Sequence, residues 1–264
     1  MQTGRMEGYG IASYGAAFAD VYDQWYPGVT DTDGCVRRLA ALVPPGGRVL
    51  ELGVGTGRLA IPLAEEGSTR GVTVAGVDAS RPMLERLAAK DGGDRVTVVV
   101  GDMAALETAE PPLPAPPEGA AFQLAFVAYN TLFNVVDPEA QRRLVAGVGQ
   151  RLAPGGRFVV EAFVPRDDHE TLDRVAVRSL GADELVLTAT VHDPAAQTIT
   201  GQHVQITEAG IRLRPWMIRY LRPTQIDQLA EAAGLVLEHQ WSDWDRRPFD
   251  EHSPTRVAVY VRPT

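Results

Sequence analysis

The sequence predicts an α/β fold in which helices cover both faces of a parallel sheet, with a helical cap in front and an antiparallel β insertion after the fifth strand. Three observations predict it. Short, almost wholly apolar segments alternate with helical ones over residues 46–164, the pattern of strands buried on both faces. The segment VLELGVGTGRLAIPLA (49–64) runs a buried strand through a glycine-rich turn into a helix. After residue 183 the pattern changes to two-residue alternation rich in β-branched side chains.

Taken in order, Ala16 to Tyr26 reads as a helix that stops at Pro27-Gly28. A second helix follows, with Asp31 or Asp33 as its cap and Val36, Leu39, Ala40 and Val43 as its apolar stripe, and ends at Pro44-Pro45. The alternating unit comprises strand 48–52, helix 58–66, strand 72–77, helix 81–90, strand 95–100, strand 122–127, helix 138–152 and strand 157–163. A Pro-rich link, PPLPAPPEGAA, separates the third and fourth strands as a surface loop. ELVLTATVHD, QTITGQHVQITE and IRLRPWMIRYL form the antiparallel ribbon, with DPAAQ and EAG as turns. Helix 224–233 and strands 235–241 and 256–261 complete the core. The expectation is one domain over 1–264: a cap at 1–45, a core at 46–164 and 223–264, and the ribbon at 165–222.

With 264 residues, 45% of them hydrophobic, the chain is long enough to bury a full core. No window approaches the roughly 20 apolar residues of a membrane span, and MQTGRMEGYG lacks the apolar segment of a signal peptide, so a cytoplasmic protein without a membrane partner is expected. The net charge of −9, with arginines scattered, argues against a nucleic-acid partner. The lone Cys35 forms no internal disulfide, and no metal-ligand spacing occurs, so no metal is expected.

The glycine spacing is Gly53-x-Gly55-x-Gly57. A dinucleotide turn, G-x-G-x-x-G, uses its third glycine to pack helix on strand; Arg58 stands there instead, which removes the main support for a nicotinamide or flavin site. ELGVGTGRLA is similar to the first motif of the class I S-adenosylmethionine-dependent methyltransferases, and GVDAS, GDM, FVAYNTLFN and LAPGGRFVVEAF follow in that family's order. The resemblance implies a Rossmann-like seven-stranded sheet of order 3-2-1-4-5-7-6 and S-adenosyl-L-methionine as cofactor. It implies that Gly53, Gly55 and Gly57 admit the methionine end, with Glu51 orienting the turn. Asp78 accepts from both ribose hydroxyls, Asp102 accepts from the adenine amine, and Met103, or Ala79 with Met83, covers the ring. Ala128 and Tyr129 fall where the family passes the cofactor and opens to the acceptor.

SYGAAFADVYDQWYPG is similar to the N-terminal cap of small-molecule methyltransferases, such as glycine and amino-sugar N-methyltransferases, in which a tyrosine near Tyr14 contacts the methionine end. Tyr22 is a second cofactor candidate, although Phe18, Tyr22, Trp25 and Tyr26 also share one helical face and fit a packing stripe. Along the third ribbon strand Ile211, Leu213, Pro215, Met217 and Arg219 face one way, and Arg212, Arg214, Trp216, Ile218 and Tyr220 the other. Acceptor-site candidates are Trp25, Tyr26, Tyr129, Phe163, His203, Trp216 and Arg219; Tyr14 and Tyr129 are the candidates for orienting an acceptor or passing a proton. The histidines, His169, His192, His203, His239 and His252, are dispersed, and none falls at a recognised catalytic position.

RYLRPTQIDQLAEAAGLVLEHQWSDWDRRPF resembles bacterial methyltransferases of natural-product pathways. The expected activity is methyl transfer to an N, C or O nucleophile of a small acceptor, an aromatic or indolic natural product or an amino sugar, by a monomer or homodimer. A noncatalytic S-adenosylmethionine-binding regulator and an NAD-dependent oxidoreductase are the rival readings.

Overall fold

The structure is a computed structural model and describes residues 6–28, 31–113, 121–166 and 174–264. Most of the Pro-rich link and His169 lie outside the described residues.

The core is a seven-stranded sheet made from β1 (Arg48–Leu52), β2 (Thr73–Asp78), β3 (Val96–Val100), β4 (Phe122–Val127), β5 (Leu152–Phe163), β10 (Val236–Trp241) and β11 (Thr255–Val261), ordered β10-β11-β5-β4-β1-β2-β3. With the insertion strands set aside, this is the expected 3-2-1-4-5-7-6. β1 through β5 pair in parallel, and β11 enters antiparallel between β5 and β10. Successive side chains of a strand point to opposite faces, so β1 divides its apolar residues between two layers. Val49 packs with Leu39 of α3 (Thr32–Ala41), Leu63 of α4 (Ala60–Gly67) and Leu87 of α5 (Arg81–Ala88). Leu50 and Leu52 pack with Leu144 of α6 (Pro138–Arg151) and Ile226 of α7 (Pro223–Ala232). Between the two cap candidates for α3 the structure selects Asp31, whose carboxylate accepts from the Gly34 N–H at 2.9 Å.

The predicted helix from Ala16 to Tyr26 is two short ones, α1 (Ser13–Phe18) and α2 (Tyr22–Trp25). The Val21 N–H bonds back to Phe18 O rather than to Ala17 O. Ala17 O instead accepts from Arg214, which explains the break.

The insertion has four strands, not three: β6 (Arg174–Leu180), β7 (Glu184–Asp193), β8 (Thr198–Thr207) and β9 (Gly210–Arg219), all antiparallel. RVAVRSL is the strand that the sequence pattern does not predict: arginines stand at its first and fifth positions, and most of its residues are exposed. Among the described residues no helix is long and apolar enough to cross a membrane.

Arg214 joins the cap to the insertion. Its guanidinium is 1% exposed, donates to Ala17 O, both Asp20 oxygens and Gln205 Oε1, and covers the Trp25 ring. Arg214→Ala leaves Ala17 O and Gln205 Oε1 without this donor and opens a void. The expected loss is about 3 kcal/mol of stability, read as a lower urea midpoint; an unchanged midpoint would contradict the clamp.

Candidate functional site

A cavity of about 370 Å³ opens where the carboxyl ends of β1, β2 and β4 meet the cap and the antiparallel sheet. This is where ligands sit in open parallel sheets, outside the strand carboxyl ends. The turn after β1 forms its floor. Gly55 has φ +55°, a left-handed conformation that side chains resist, and a Cβ built there meets nothing within 4 Å, so the backbone faces open space. The Gly55 N–H donates to Asp78 Oδ2 at 2.9 Å, while Asp78 Oδ1 accepts from the Ser80 N–H at 2.8 Å. Burial raises the Asp78 carboxyl above its ordinary value of 3.8, against the opposing effect of those amides. Thr56, next along the turn, is tied to the cap: its hydroxyl donates to Asp23 at 2.7 Å, and Lys90 bridges Asp23 and Thr56 O at 2.8 and 2.9 Å.

Of the residues singled out in the sequence, Gly53, Gly55, Asp78, Ala79, Met83, Asp102 and Met103 line the sheet side of the cavity. Tyr14, Tyr22 and Tyr26 line it from the cap, Tyr129 and Phe163 from the β4 and β5 ends, and His203 and Trp216 from the insertion. Apart from Phe163, these aromatic groups join with Phe18 in one connected wall. Tyr14 stacks on Phe18 at 4.6 Å, Tyr22 meets Tyr26 at 5.0 Å, and Tyr26 meets Tyr129 edge-on at 6.2 Å. Burial pushes the Tyr14 phenol well up and that of Tyr22 up to about 12, so both are neutral hydrogen-bonding groups at physiological pH.

Five candidates are placed elsewhere. Arg219 lies on the opposite face of β9 from Trp216 and Ile218, where its guanidinium donates to Gln141 Oε1 of α6 and its carbonyl accepts from Gln141 Nε2. Since strand residues alternate, Trp216 and Arg219 could not both face one cavity. Trp25 sits behind the wall, edge-on to Phe18 at 6.2 Å and to His203 at 5.9 Å, under the guanidiniums of Arg178 and Arg214. Ala128 is buried in the apolar layer with Phe126. Gly57 serves packing, because a Cβ there would stand 2.9 Å from Ile61 and Leu87. Glu51 is buried beneath the turn and does not line the cavity.

Lining residues that are not among the sequence candidates include Asn130 and Asn134, which lie inside the FVAYNTLFN motif, and Arg178, which no sequence motif marks. Tyr129 and Asn130 have φ of +47° and +64°, a conformation costly for residues other than glycine. Glu161 holds it, taking the Tyr129 N–H on its carboxylate at 2.8 Å and the Asn130 N–H on its backbone oxygen at 3.1 Å. Its other carboxylate oxygen accepts from Trp244 Nε1 at 2.8 Å. Trp216 lies flat over Gly201, its register partner on β8, where a Cβ would stand 2.1 Å from the ring. A glycine facing tryptophan in adjacent strands was the signal available for that wall.

His203 is 5% exposed, its Nδ1 paired with the Thr188 hydroxyl at 2.8 Å. Burial, then the charges of Arg178 and Arg214, push its imidazole down to about 4, so it is neutral near pH 7. Among the described residues no cluster of histidine, cysteine or acidic side chains could hold a metal ion.

This geometry has known counterparts. A family model described as a methyltransferase domain matches residues 49–156. The solved structure of the CcbJ methyltransferase from Streptomyces caelestis is 36% identical, covering 97% of this chain and 100% of that one, with a TM-score of 0.82. The chain belongs to the class I S-adenosylmethionine-dependent methyltransferases. The cypemycin N-terminal methyltransferase of a Streptomyces species is 29% identical over 264 residues, 94% of this chain and 97% of that protein. CalS10 from Micromonospora echinaspora, an amino pentose methyltransferase solved with S-adenosylmethionine bound, shares the fold at 19% identity, with 98% and 100% coverage and a TM-score of 0.65. As a member of that family, this methyltransferase uses S-adenosylmethionine as cofactor. The residues present suit that cofactor: an open, side-chain-free turn at Gly55, and Asp78 and Asp102 spaced along the strand ends with Met83 and Met103 between apolar surfaces.

Glu51 gives the methyltransferase a pH signature. Burial raises its carboxyl from 4.5 to about 8, and its Oε2 has no hydrogen-bond partner. The unfolded chain ionises first, so this group lowers stability as pH rises through the window from 4.5 to about 8. In cofactor-free protein Glu51→Gln is expected to gain on wild type by about 1.4 kcal/mol per pH unit across that window, measured by urea unfolding at a series of pH values. A difference that stays constant with pH would show that Glu51 ionises normally.

Proposed function

We propose that this methyltransferase transfers the methyl group to the nitrogen of a small amine bound in the arm of the cavity between the cap and the antiparallel sheet. The observation that carries this reading is the neutral imidazole of His203 on that arm's wall, fixed through Nδ1 by Thr188. A relative that matches nearly the whole chain is named for methylating an N-terminus, which supports a nitrogen nucleophile here.

In this reading Gly53, Gly55 and Tyr14 face the methionine end of the cofactor, Asp78 accepts from the ribose hydroxyls, and Asp102 accepts from the adenine amine between Met83 and Met103. Bound there, S-adenosylmethionine supplies a methyl carbon activated by a sulfonium. The chain's own residues then do three things. The tyrosine wall and Phe163 exclude water and align the nucleophile, from which much of the acceleration in an in-line displacement can come. Tyr26 and Tyr129 offer hydroxyls that orient the acceptor. His203, neutral, with Nδ1–H donated to the Thr188 hydroxyl and Nε2 without a hydrogen-bond partner among the described residues, accepts an N–H of the amine at Nε2 and so orients the nitrogen lone pair.

Two outcomes test the assignment. Asp78→Asn keeps the size of the side chain but not its charge, and is expected to weaken S-adenosylmethionine binding about 10- to 100-fold by calorimetry; wild-type affinity would place the ribose elsewhere. His203→Gln is expected to lower kcat about 10- to 100-fold while leaving cofactor affinity intact, and an unaltered kcat would remove His203 from the reaction.

A further inference from the structure

Resting on the amine reading above, we propose that the acceptor also carries a carboxylate, and that Arg178 binds it at the mouth of the cavity. The acceptor is then an amino-acid-like amine.

The charges that line the cavity are segregated. Asp78 and Asp102 stand at the strand ends, on the cofactor side, and Arg178 is the one cation among the described lining residues. The arm walled by Tyr26, Tyr129, Phe163, His203, Trp216 and Ile218 contains no carboxylate among those residues. An amine that retained its proton would find no counter-charge there, whereas an anion would find Arg178.

Arg178 is placed with some care by the backbone. The register of β6 against β7 shifts between Val177 and Ser179, so Arg178 occupies the irregular position. Such a bulge bends a strand and re-aims the side chain it carries. The guanidinium lies over the Tyr26 and Trp25 rings at 5.0 and 5.3 Å, which fixes its plane. It makes one long hydrogen bond, from Nη2 to Trp25 O at 3.3 Å, and no carboxylate among the described residues pairs with it. Most of its five donors are thus available. The nearby acid of the cap, Asp20, is already taken by Arg212 and Arg214.

Arg178 and His203 also flank the same indole. The guanidinium is 5.3 Å from the Trp25 ring and the imidazole 5.9 Å from it, edge-on. A carboxylate on Arg178 and a nitrogen facing His203 can therefore be carried by one small molecule. The proximity of Arg178 contributes to holding the imidazole neutral, and a bound carboxylate offsets that charge.

The test uses matched pairs: L-phenylalanine, L-leucine and glycine, each beside its carboxamide, with S-adenosylhomocysteine release as the readout and calorimetric S-adenosylmethionine affinity measured in parallel. The amides are the less basic amines and more often deprotonated near neutral pH, so a preference for the acids cannot arise from nucleophile availability. The wild type is expected to favour the acid of at least one pair by about 10-fold or more in kcat/KM. Arg178→Gln is expected to bring that ratio to within about twofold of unity, and Arg178→Lys to keep part of it, with cofactor affinity unchanged in both. Turnover of none of the acids, or of amides as readily as acids, overturns the proposal. So does a loss of cofactor affinity in Arg178→Gln with the acid preference intact, which would assign Arg178 to the cofactor's own carboxylate. Methylation of amides alone would leave the amine reading standing, whereas absence of cofactor binding in the wild type would remove both.

Discussion

The buried guanidinium of Arg214 is the interaction on which the acceptor side of this protein depends. Its site is built from two additions to the core that have no sheet pairing with each other, the N-terminal cap and the antiparallel insertion. A charge placed between them is costly unless every donor is used. Arg214 meets that condition by drawing on both sides: Ala17 O and Asp20 from the cap, Gln205 from the insertion. The helix break that gives α1 and α2 supplies Ala17 O, so the geometry of the cap and the clamp are one arrangement. Trp25 and Phe18 then pack beneath, His203 stands edge-on against both, and the cavity wall is complete.

Beneath that wall the core treats its acids differently according to their neighbours. Asp78 is desolvated but receives backbone N–H groups, and so remains a poised acceptor at the edge of the cavity. Glu161 is likewise desolvated, and its bonds to Tyr129 and Trp244 hold a strained turn in place. Glu51 has the burial with an unpartnered Oε2, and its carboxyl is raised to about 8. The balance of desolvation against donated hydrogen bonds, not the presence of a carboxylate, separates a binding group from a structural one. On the far side of the cavity the balance is reversed in sign: a neutral imidazole and an arginine stand among aromatic rings, which suits a neutral nitrogen and an anion.

Much of the core was legible from local pattern. Short, almost wholly apolar runs, helices capped by aspartate or started by proline, and a glycine triplet with Arg58 after it are properties of contiguous residues, and the strands they predict are found within a residue or two for β1 to β4. β6 was not legible, because its residues are exposed and its strand character comes from pairing with β7. The candidate site divided in the same way. Asp78, Asp102, Gly53 and Gly55 follow strands whose ends the pattern locates, and they line the cavity; Trp25 and Arg219 were expected from a helical face and a strand face whose orientation the local pattern leaves open, and packing turns them away.

The succession of core strands and helices, the bend after β1 and the positions of acids at strand ends follow from the chain alone, since these rest on spacing and on side-chain sterics within a few residues. Tertiary structure decided which face of each insertion strand meets the cap, where the cap helix breaks, and that Arg178 and His203 share one indole. Those outcomes depend on contacts between segments some 150 to 200 residues apart, Trp25 with Arg178 and Ala17 with Arg214. Burial of a charge there is settled by the sum of partners from all sides, and no local stretch of sequence contains that sum.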